Sequence, residues 1–239
     1  MNVGIIGYGS YIPQGRITTE TIATAWEKDG KQIESNLGIH EKAVPNKDED
    51  AATMAVEASE NVLARSGIDR TQIGAVYVGS ESHPYAVKPT ATIVGSALGI
   101  GNNFTAADLE FACKAGTAAI QVACGLVGSN IIKYGLAIGS DTAQAKPGDI
   151  LEYGTGAGSA AFVLGNNSDE AVAIIEATLS YSSDTPDFWR RNNQLYPEHA
   201  NRFTGQPSYF EHVIKTTNAI LAKTETKISD FDFVIFHQP

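Results

Sequence analysis

Apolar runs of strand length alternate with helix-length patterns from one end of this chain to the other. That alternation calls for an α/β fold, in which helices cover a sheet that is apolar on both faces. Strands are expected near residues 3–6, 74–79, 131–139, 159–165, 171–180 and 232–236. Helices are expected near 19–29, 49–66, 87–98, 112–128 and 208–223. The segment 49–66 carries Ala51, Ala55, Ala58 and Val62 at helical spacing and stops at Ser66-Gly67. The runs Ala75-Val-Tyr-Val78 and Phe233-Val-Ile-Phe236 are apolar throughout, as strands buried on both faces are.

One unit is written twice. Helix 49–66, the turn Gly67-Ile-Asp-Arg-Thr-Gln-Ile-Gly and the strand Ala75–Val78 end in Gly79-Ser80-Glu81. Helix 208–223, the turn Thr226-Lys-Ile-Ser-Asp-Phe-Asp and the strand Phe233–Phe236 end in His237-Gln-Pro. Glu81 and His237 therefore lie just beyond equivalent strand ends, where α/β sheets build their sites. The first copy continues with a further helix, the helix at 112–128 and two more strands. The second stops at Pro239, so the duplication predicts on the order of a hundred residues more than the sequence holds. The expected division is a half at 1–168 and the start of a second, truncated half at 169–239.

A net charge of −10 excludes sequence-independent nucleic-acid binding, which needs a basic surface. The longest apolar stretches are broken by Gly, Ser, Asn or Lys, so no membrane span is expected. The N-terminus runs straight into Val3-Gly-Ile-Ile-Gly7, without the pattern of a secretory signal. Cys113 and Cys124 are too few and wrongly spaced for a zinc site or a disulfide framework. They fall on one expected helix about 16 Å apart along its axis, too far to pair. A reducing cytoplasm and no metal are the expectation.

Cys113 stands in Asp108-Leu-Glu-Phe-Ala-Cys113-Lys-Ala-Gly-Thr-Ala-Ala, where an apolar lead-in meets small, helix-compatible residues. A helix beginning at a cysteine aims its unpaired N–H groups and positive dipole end at the sulfur, which lowers the thiol pKa. The small residues at 115–119 leave room for a molecule to approach. A buried structural cysteine is the other reading. Glu81 is either a general acid/base in partial burial or a solvated loop carboxylate. His237 is either a core residue or a proton donor to a carbonyl. His40, His83, His199 and His212 read as structural or surface groups. Gly4-Ile-Ile-Gly7-Tyr-Gly9-Ser10 has the wrong spacing for a dinucleotide fingerprint, with Pro13 opposing the required helix, and reads as a turn. Gly154-Thr-Gly156-Ala-Gly158 lacks the ending of a phosphate loop and reads as close packing or site lining. Asp187-Phe-Trp-Arg-Arg191 and Arg202-Phe-Thr-Gly205 suit an anionic, partly apolar ligand, or equally a packing contact.

Gly79-Ser-Glu81-Ser, Ala112-Cys113, Gly139-Ser-Asp141-Thr, Asp187-Phe-Trp-Arg, Tyr196-Pro and Phe236-His237 together resemble the 3-hydroxy-3-methylglutaryl-CoA synthases of the thiolase superfamily. Ser80-Glu-Ser-His-Pro-Tyr-Ala-Val-Lys-Pro and Asp108-Leu-Glu-Phe-Ala-Cys-Lys-Ala-Gly resemble the archaeal branch in particular. The resemblance covers essentially the whole chain, in family order. It implies a thiolase-like five-layer α-β-α-β-α fold of two similar halves. It also implies that acetyl-CoA, acetoacetyl-CoA and water give 3-hydroxy-3-methylglutaryl-CoA and CoA, a mevalonate-pathway step toward isoprenoids. Cys113 would carry the acetyl group, Glu81 would remove a methyl proton and later assist hydrolysis, and His237 would protonate the ketone oxygen. Asp29, Gly30, Gly154, Thr155, Arg202 and Thr204 are the implied substrate contacts. No cofactor is implied beyond the coenzyme A thioesters that serve as substrates. The implied partners are a second copy in a homodimer, and an assembly with acetoacetyl-CoA thiolase and an OB-fold protein.

The family continues past His-Gln-Pro with an Asn, a CoA-contacting lysine and a glycine-rich oxyanion segment, which this sequence lacks. The nearest rival is a ketoacyl-acyl-carrier-protein synthase III-like enzyme, whose family uses no Glu at the position of Glu81. A non-catalytic subunit of a thiolase–synthase assembly is the rival from another class.

Overall fold

The strand-length apolar runs of the first two-thirds of the chain assemble into one mixed sheet. The computed structural model describes residues 3–166 and 169–238, which fall into two units, Met1–Ile175 and Glu176–Pro239. In the first unit the strands are β1 (Gly4–Tyr11), β2 (Gly15–Thr18), β3 (Glu41–Val44), β4 (Ile73–Gly79), β5 (Thr105–Leu109), β6 (Tyr134–Thr142), β7 (Ala157–Gly165) and β8 (Ala173–Ile174). Its helices are α1 (Thr19–Ala25), α2 (Gly30–Leu37), α3 (Ala51–Ser66), α4 (Thr90–Ala97) and α5 (Ala115–Gly128). The sheet order is β5-β4-β6-β7-β1-β8, with β2 and β3 forming a separate hairpin. Strand β4 runs parallel to β5 and β6, whereas β6–β7, β7–β1 and β1–β8 are antiparallel.

Alternation along the strands divides the core. Val76, Val78, Leu136, Ile138 and Val163 face Ala55, Ala58 and Val62 of α3, Val94 of α4 and its C-cap residue Leu98. Ala75, Tyr77, Ala137 and Leu164 face Ala119, Ala123, Cys124 and Val127 of α5 on the other side. The first unit is thus three layers, helix–sheet–helix, as strands apolar at every position require. Helix α3 starts at a reciprocal cap, in which Asp50 accepts from Thr53 N–H and Thr53 Oγ1 accepts from Asp50 N–H, and it ends at Gly67 with φ +65°.

Several expectations change. Gly4–Ser10 is strand throughout rather than a turn. Gly9 is needed because a Cβ there would lie 2.4 Å from Ala58 O on α3. The expected helix 19–29 stops at Ala25, and Asp29 caps a second helix, α2. Of the strand expected at 171–180 only Ala173–Ile174 pairs, against Gly4 and Ile5. Strand β5 and the β2–β3 hairpin lack long β-branched runs and were not expected from the pattern.

In the second unit, β9 (Phe188–Trp189) and β10 (Glu198–His199) pair with each other, and α6 spans Phe210–Thr224. Residues 232–236 form no strand, contrary to expectation, and Phe233 and Ile235 are 87% and 90% exposed. Apolar content makes a strand only against a neighbouring strand. Among the described residues, the only paired strands of this unit are β9 and β10. No helix among the described residues is long and apolar enough to cross a membrane.

Candidate active site

The C-terminal ends of three neighbouring parallel strands, β5, β4 and β6, deliver the polar residues of the first unit. Gly79 at the end of β4 lies opposite Gly139 of β6, and both are flush against the start of α5. A Cβ on Gly79 would stand 2.3 Å from the Ala115 carbonyl carbon and 2.5 Å from Gly116 N. One on Gly116 would meet Gly139 Cα at 3.4 Å. Ala115 and Ala119 are buried. Ala115 and Gly116 therefore seat the helix on the strand ends, while Thr117 is exposed.

Cys113 lies one turn before the helix proper, in the short 3-10 turn Ala112–Lys114. The chain leaves β5 at Leu109 and turns sharply through Ala112, whose φ of +42° is disfavoured for an L-residue by about 1–2 kcal/mol. Lys114 N–H donates to Phe111 O and Ala115 N–H to Ala112 O, which locks this strand-to-helix elbow. The Cys113 thiol is exposed, at the positive end of the α5 dipole, and its Sγ is 3.9 Å from Glu81 Oε1. Cys124 is buried, and burial pushes its thiol pKa up, the profile of an inert core cysteine.

Glu81 is held from β6. Asp141 Oδ1 accepts from Glu81 N–H at 2.7 Å, from Ser80 Oγ at 2.9 Å and from Ser82 Oγ at 2.9 Å. Ser82 N–H donates to Ser80 Oγ, and Thr142 N–H to Ser82 Oγ. This network fixes the backbone that carries Glu81. Sequence reasoning gave Asp141 no role. The signal that finds it is its place just past Gly139, which lies in register with Gly79.

A second carboxylate holds the next part of the loop. Asp108 of β5 accepts from Thr90 N–H at 2.6 Å and Ala91 N–H at 2.9 Å, capping α4, whose N-cap residue Pro89 has no side-chain bond to offer. His83 is buried rather than superficial, with its side chain 6% exposed. Its Nδ1 lies 2.8 Å from Thr90 Oγ1 and 3.2 Å from Asp108 Oδ2.

The remaining expected contacts of the first unit form two tethered segments. Asp29 caps α2 by accepting from Gln32 N–H at 3.1 Å, and Gly30 is buried against Glu20. Gly154 and Thr155 follow the turn Ile150–Tyr153 and donate to Leu151 O. Trp26 Nε1 donates to Glu152 at 2.9 Å, Lys28 Nζ donates to Gly148 O at 2.8 Å, and Lys42 Nζ donates to Glu152 O. These bonds tie the stretch that carries Asp29 and Gly30 to the one that carries Gly154 and Thr155. Burial pushes the Lys42 ammonium pKa down, with Glu152 opposing. Thr155 Oγ1 is buried without a hydrogen-bond partner among the described residues, an arrangement that favours a ligand polar group there.

Arg202, Thr204 and His237 belong to the second unit. The Arg202 guanidinium stacks over Phe203 at 5.1 Å, and Thr204 Oγ1 donates to Asp187 O at 3.4 Å. His237 is exposed on the extended segment after 232–236, and Tyr209 Oη donates to its carbonyl oxygen. The structure thus brings Cys113 and Glu81 together, ties the Asp29–Gly30 stretch to the Gly154–Thr155 stretch, and gathers Thr204 with Asp187. An exposed thiol on a strained elbow can accept an acyl group, and the carboxylate beside it can take a proton from that group.

No protein-family model matches the chain. The hydroxymethylglutaryl-CoA synthase of Archaeoglobus fulgidus is 59% identical over 237 residues, 99% of this chain and 68% of that protein. That of Methanocaldococcus jannaschii is 58% identical over 236 residues, again 99% of this chain and 68% of the relative. Among solved structures, an HMG-CoA synthase complexed with CoA matches with a TM-score of 0.88 at 24% identity, over 97% of this chain and 58% of the other. A 3-oxoacyl-(acyl carrier protein) synthase III from Pseudomonas aeruginosa matches with a TM-score of 0.81 at 18% identity, over 94% of this chain and 72% of that one. The fold is thiolase-like.

Proposed function

We propose the function of this chain from the premise that it belongs to the hydroxymethylglutaryl-CoA synthase family. It is an acyltransferase that condenses acetyl-CoA with acetoacetyl-CoA and water, giving 3-hydroxy-3-methylglutaryl-CoA and CoA, a step of the mevalonate route to isoprenoids. The observation that carries the reading is Glu81 Oε1 at 3.9 Å from Cys113 Sγ. A carboxylate so close to the sulfur is within reach of the methyl group of an acetyl carried on it.

In the proposed sequence the Cys113 thiolate attacks the acetyl-CoA carbonyl, and CoA leaves as its thiol after taking up a proton. Glu81 takes a proton from the acetyl methyl group, and the resulting enolate carbon bonds to the ketone carbon of acetoacetyl-CoA. His237 donates a proton to the ketone oxygen as it becomes an alkoxide. Glu81 then delivers water to the Cys113 thioester, releasing the product acid and the thiol. Backbone N–H groups at the α5 end steady the oxyanions of both acyl transfers. Asp29, Gly30, Gly154, Thr155, Arg202 and Thr204 contact the substrates, and the unpartnered Thr155 hydroxyl supports its own assignment. No cofactor enters these steps, because the thioesters themselves are the substrates.

The chain works in the cytoplasm, a reading supported by its two cysteines, Cys113 and Cys124, which form no disulfide. It forms a homodimer, supported by the edge position and partial exposure of β5, and assembles with an acetoacetyl-CoA thiolase and an OB-fold protein. Labelled acetyl-CoA tests the assignment. Wild type takes up label, Cys113→Ala takes up none, and Glu81→Ala is labelled but yields no condensation product. Label retained in Cys113→Ala would refute it.

A further inference from the structure

We propose that His83 is a positioning residue that sets Glu81 for proton abstraction, acting through its Nδ1 alone. The proposal rests on the functional reading above, in which Glu81 is the base.

The loop from β4 to α4 carries Glu81 near its start. Its first residues are pinned to Asp141, and Thr90, the first residue of α4, is pinned to Asp108. Between them, residues 84–89 are all exposed. Between Ser82 and Thr90, the buried side chain that anchors the loop is His83, two residues after Glu81. Its partner Asp108 is held rigidly: the residue lies opposite Val78 of β4 in parallel register, and its carboxylate takes two backbone N–H groups of α4. Asp108 also stands five residues before Cys113, on the strand that leads into the elbow. The His83–Asp108 contact therefore clasps the loop that bears the base to the strand end that delivers the nucleophile. With Ser80, Glu81 and Ser82 fixed at Asp141 and His83 fixed at Asp108, little freedom remains to the Glu81 backbone.

The ring's two nitrogens divide unequally. Nδ1 faces the Asp108 carboxylate and the Thr90 hydroxyl, so this nitrogen carries hydrogen, an assignment made from its partners. Nε2 is buried and has no hydrogen-bond partner among the described residues. Everything the ring contributes by hydrogen bonding passes through Nδ1. An asparagine amide N–H reproduces the Nδ1 position, whereas a glutamine amide N–H reproduces that of Nε2. The two variants thus separate the nitrogens while staying similar in polarity.

The experiment compares His83→Asn and His83→Gln in the full chain, reading three quantities beside circular dichroism. These are the acetylation rate of Cys113, the washout of deuterium from methyl-deuterated acetyl-CoA, and the kcat of condensation. His83→Asn should keep washout and kcat within about 3-fold of wild type. His83→Gln should lose about 30- to 100-fold in both, the cost of a displacement near 1 Å, while acetylation stays within about 3-fold. Equal behaviour of the two variants, acetylation falling in step with condensation, or failure of both to fold would overturn the proposal and leave His83 a core residue. A wild-type chain that takes up no acetyl label would overturn the functional reading itself, and with it this role for His83.

Discussion

Replacing Asp141 by Ala tests whether Glu81 is placed by β6 rather than by its own loop. The carboxylate accepts three hydrogen bonds, from Glu81 N–H and the hydroxyls of Ser80 and Ser82. A hydrogen bond to a charged group contributes about 1.5–3 kcal/mol net, but the three are not independent. The hydroxyls lie 3.4 Å apart and already accept from Ser82 N–H and Thr142 N–H, so on losing Asp141 they can rotate toward each other. Rotation of the hydroxyls does not restore the bond that Glu81 N–H makes to Asp141. The expected destabilisation is therefore that of one charged bond, about 2–3 kcal/mol, read as a lower urea midpoint at unchanged slope. Asp141→Asn keeps an acceptor oxygen and should lose about half as much. The kinetic effect should be larger than the thermodynamic one. Release of the Glu81 backbone should cut condensation about 100-fold, while acetylation of Cys113, which sits on the separate elbow after β5, changes by less than about 3-fold. Condensation within 3-fold of wild type in Asp141→Ala, or an equal fall in acetylation, would refute the reasoning.

Gly79→Ala should be among the most damaging single-methyl changes, because the new Cβ meets backbone of α5 at 2.3–2.5 Å rather than a movable side chain. A loss of about 1–3 kcal/mol and a displaced elbow with slowed acetylation are expected by denaturation and labelling, and a fully active variant would contradict the packing. Tyr134 gives a prediction about alkaline pH. Burial, with a hydrogen bond to Glu170 at 2.7 Å, pushes its hydroxyl up to about 12. The folded state keeps this proton where the unfolded chain releases it, so the contribution is whole below about pH 10 and is lost as pH rises toward about 12. Tyr134→Phe should lose less stability than wild type across that window in urea titrations, and parallel curves would refute the assignment.

The alternation of apolar runs and helical patterns determined the α/β class. The all-apolar character of Ala75–Val78 determined that the sheet is covered on both faces, because hydrophobic burial is written in period and composition. Cys113 and Glu81 stood out because a thiol at a helix start and a carboxylate at a strand end are local signals. Tertiary structure decided what local signals do not carry. Gly7 and Gly9 read as a turn, yet they are strand, because their missing side chains admit α3 against the sheet. Phe233–Phe236 read as a strand and are unpaired, because a strand is made by its neighbour. Asp141 stood in the sequence only as part of a family motif with no role of its own, and His83 read as a structural or surface group. Their importance comes from a register that sets β6 and β5 on either side of β4, and no spacing along the chain records it.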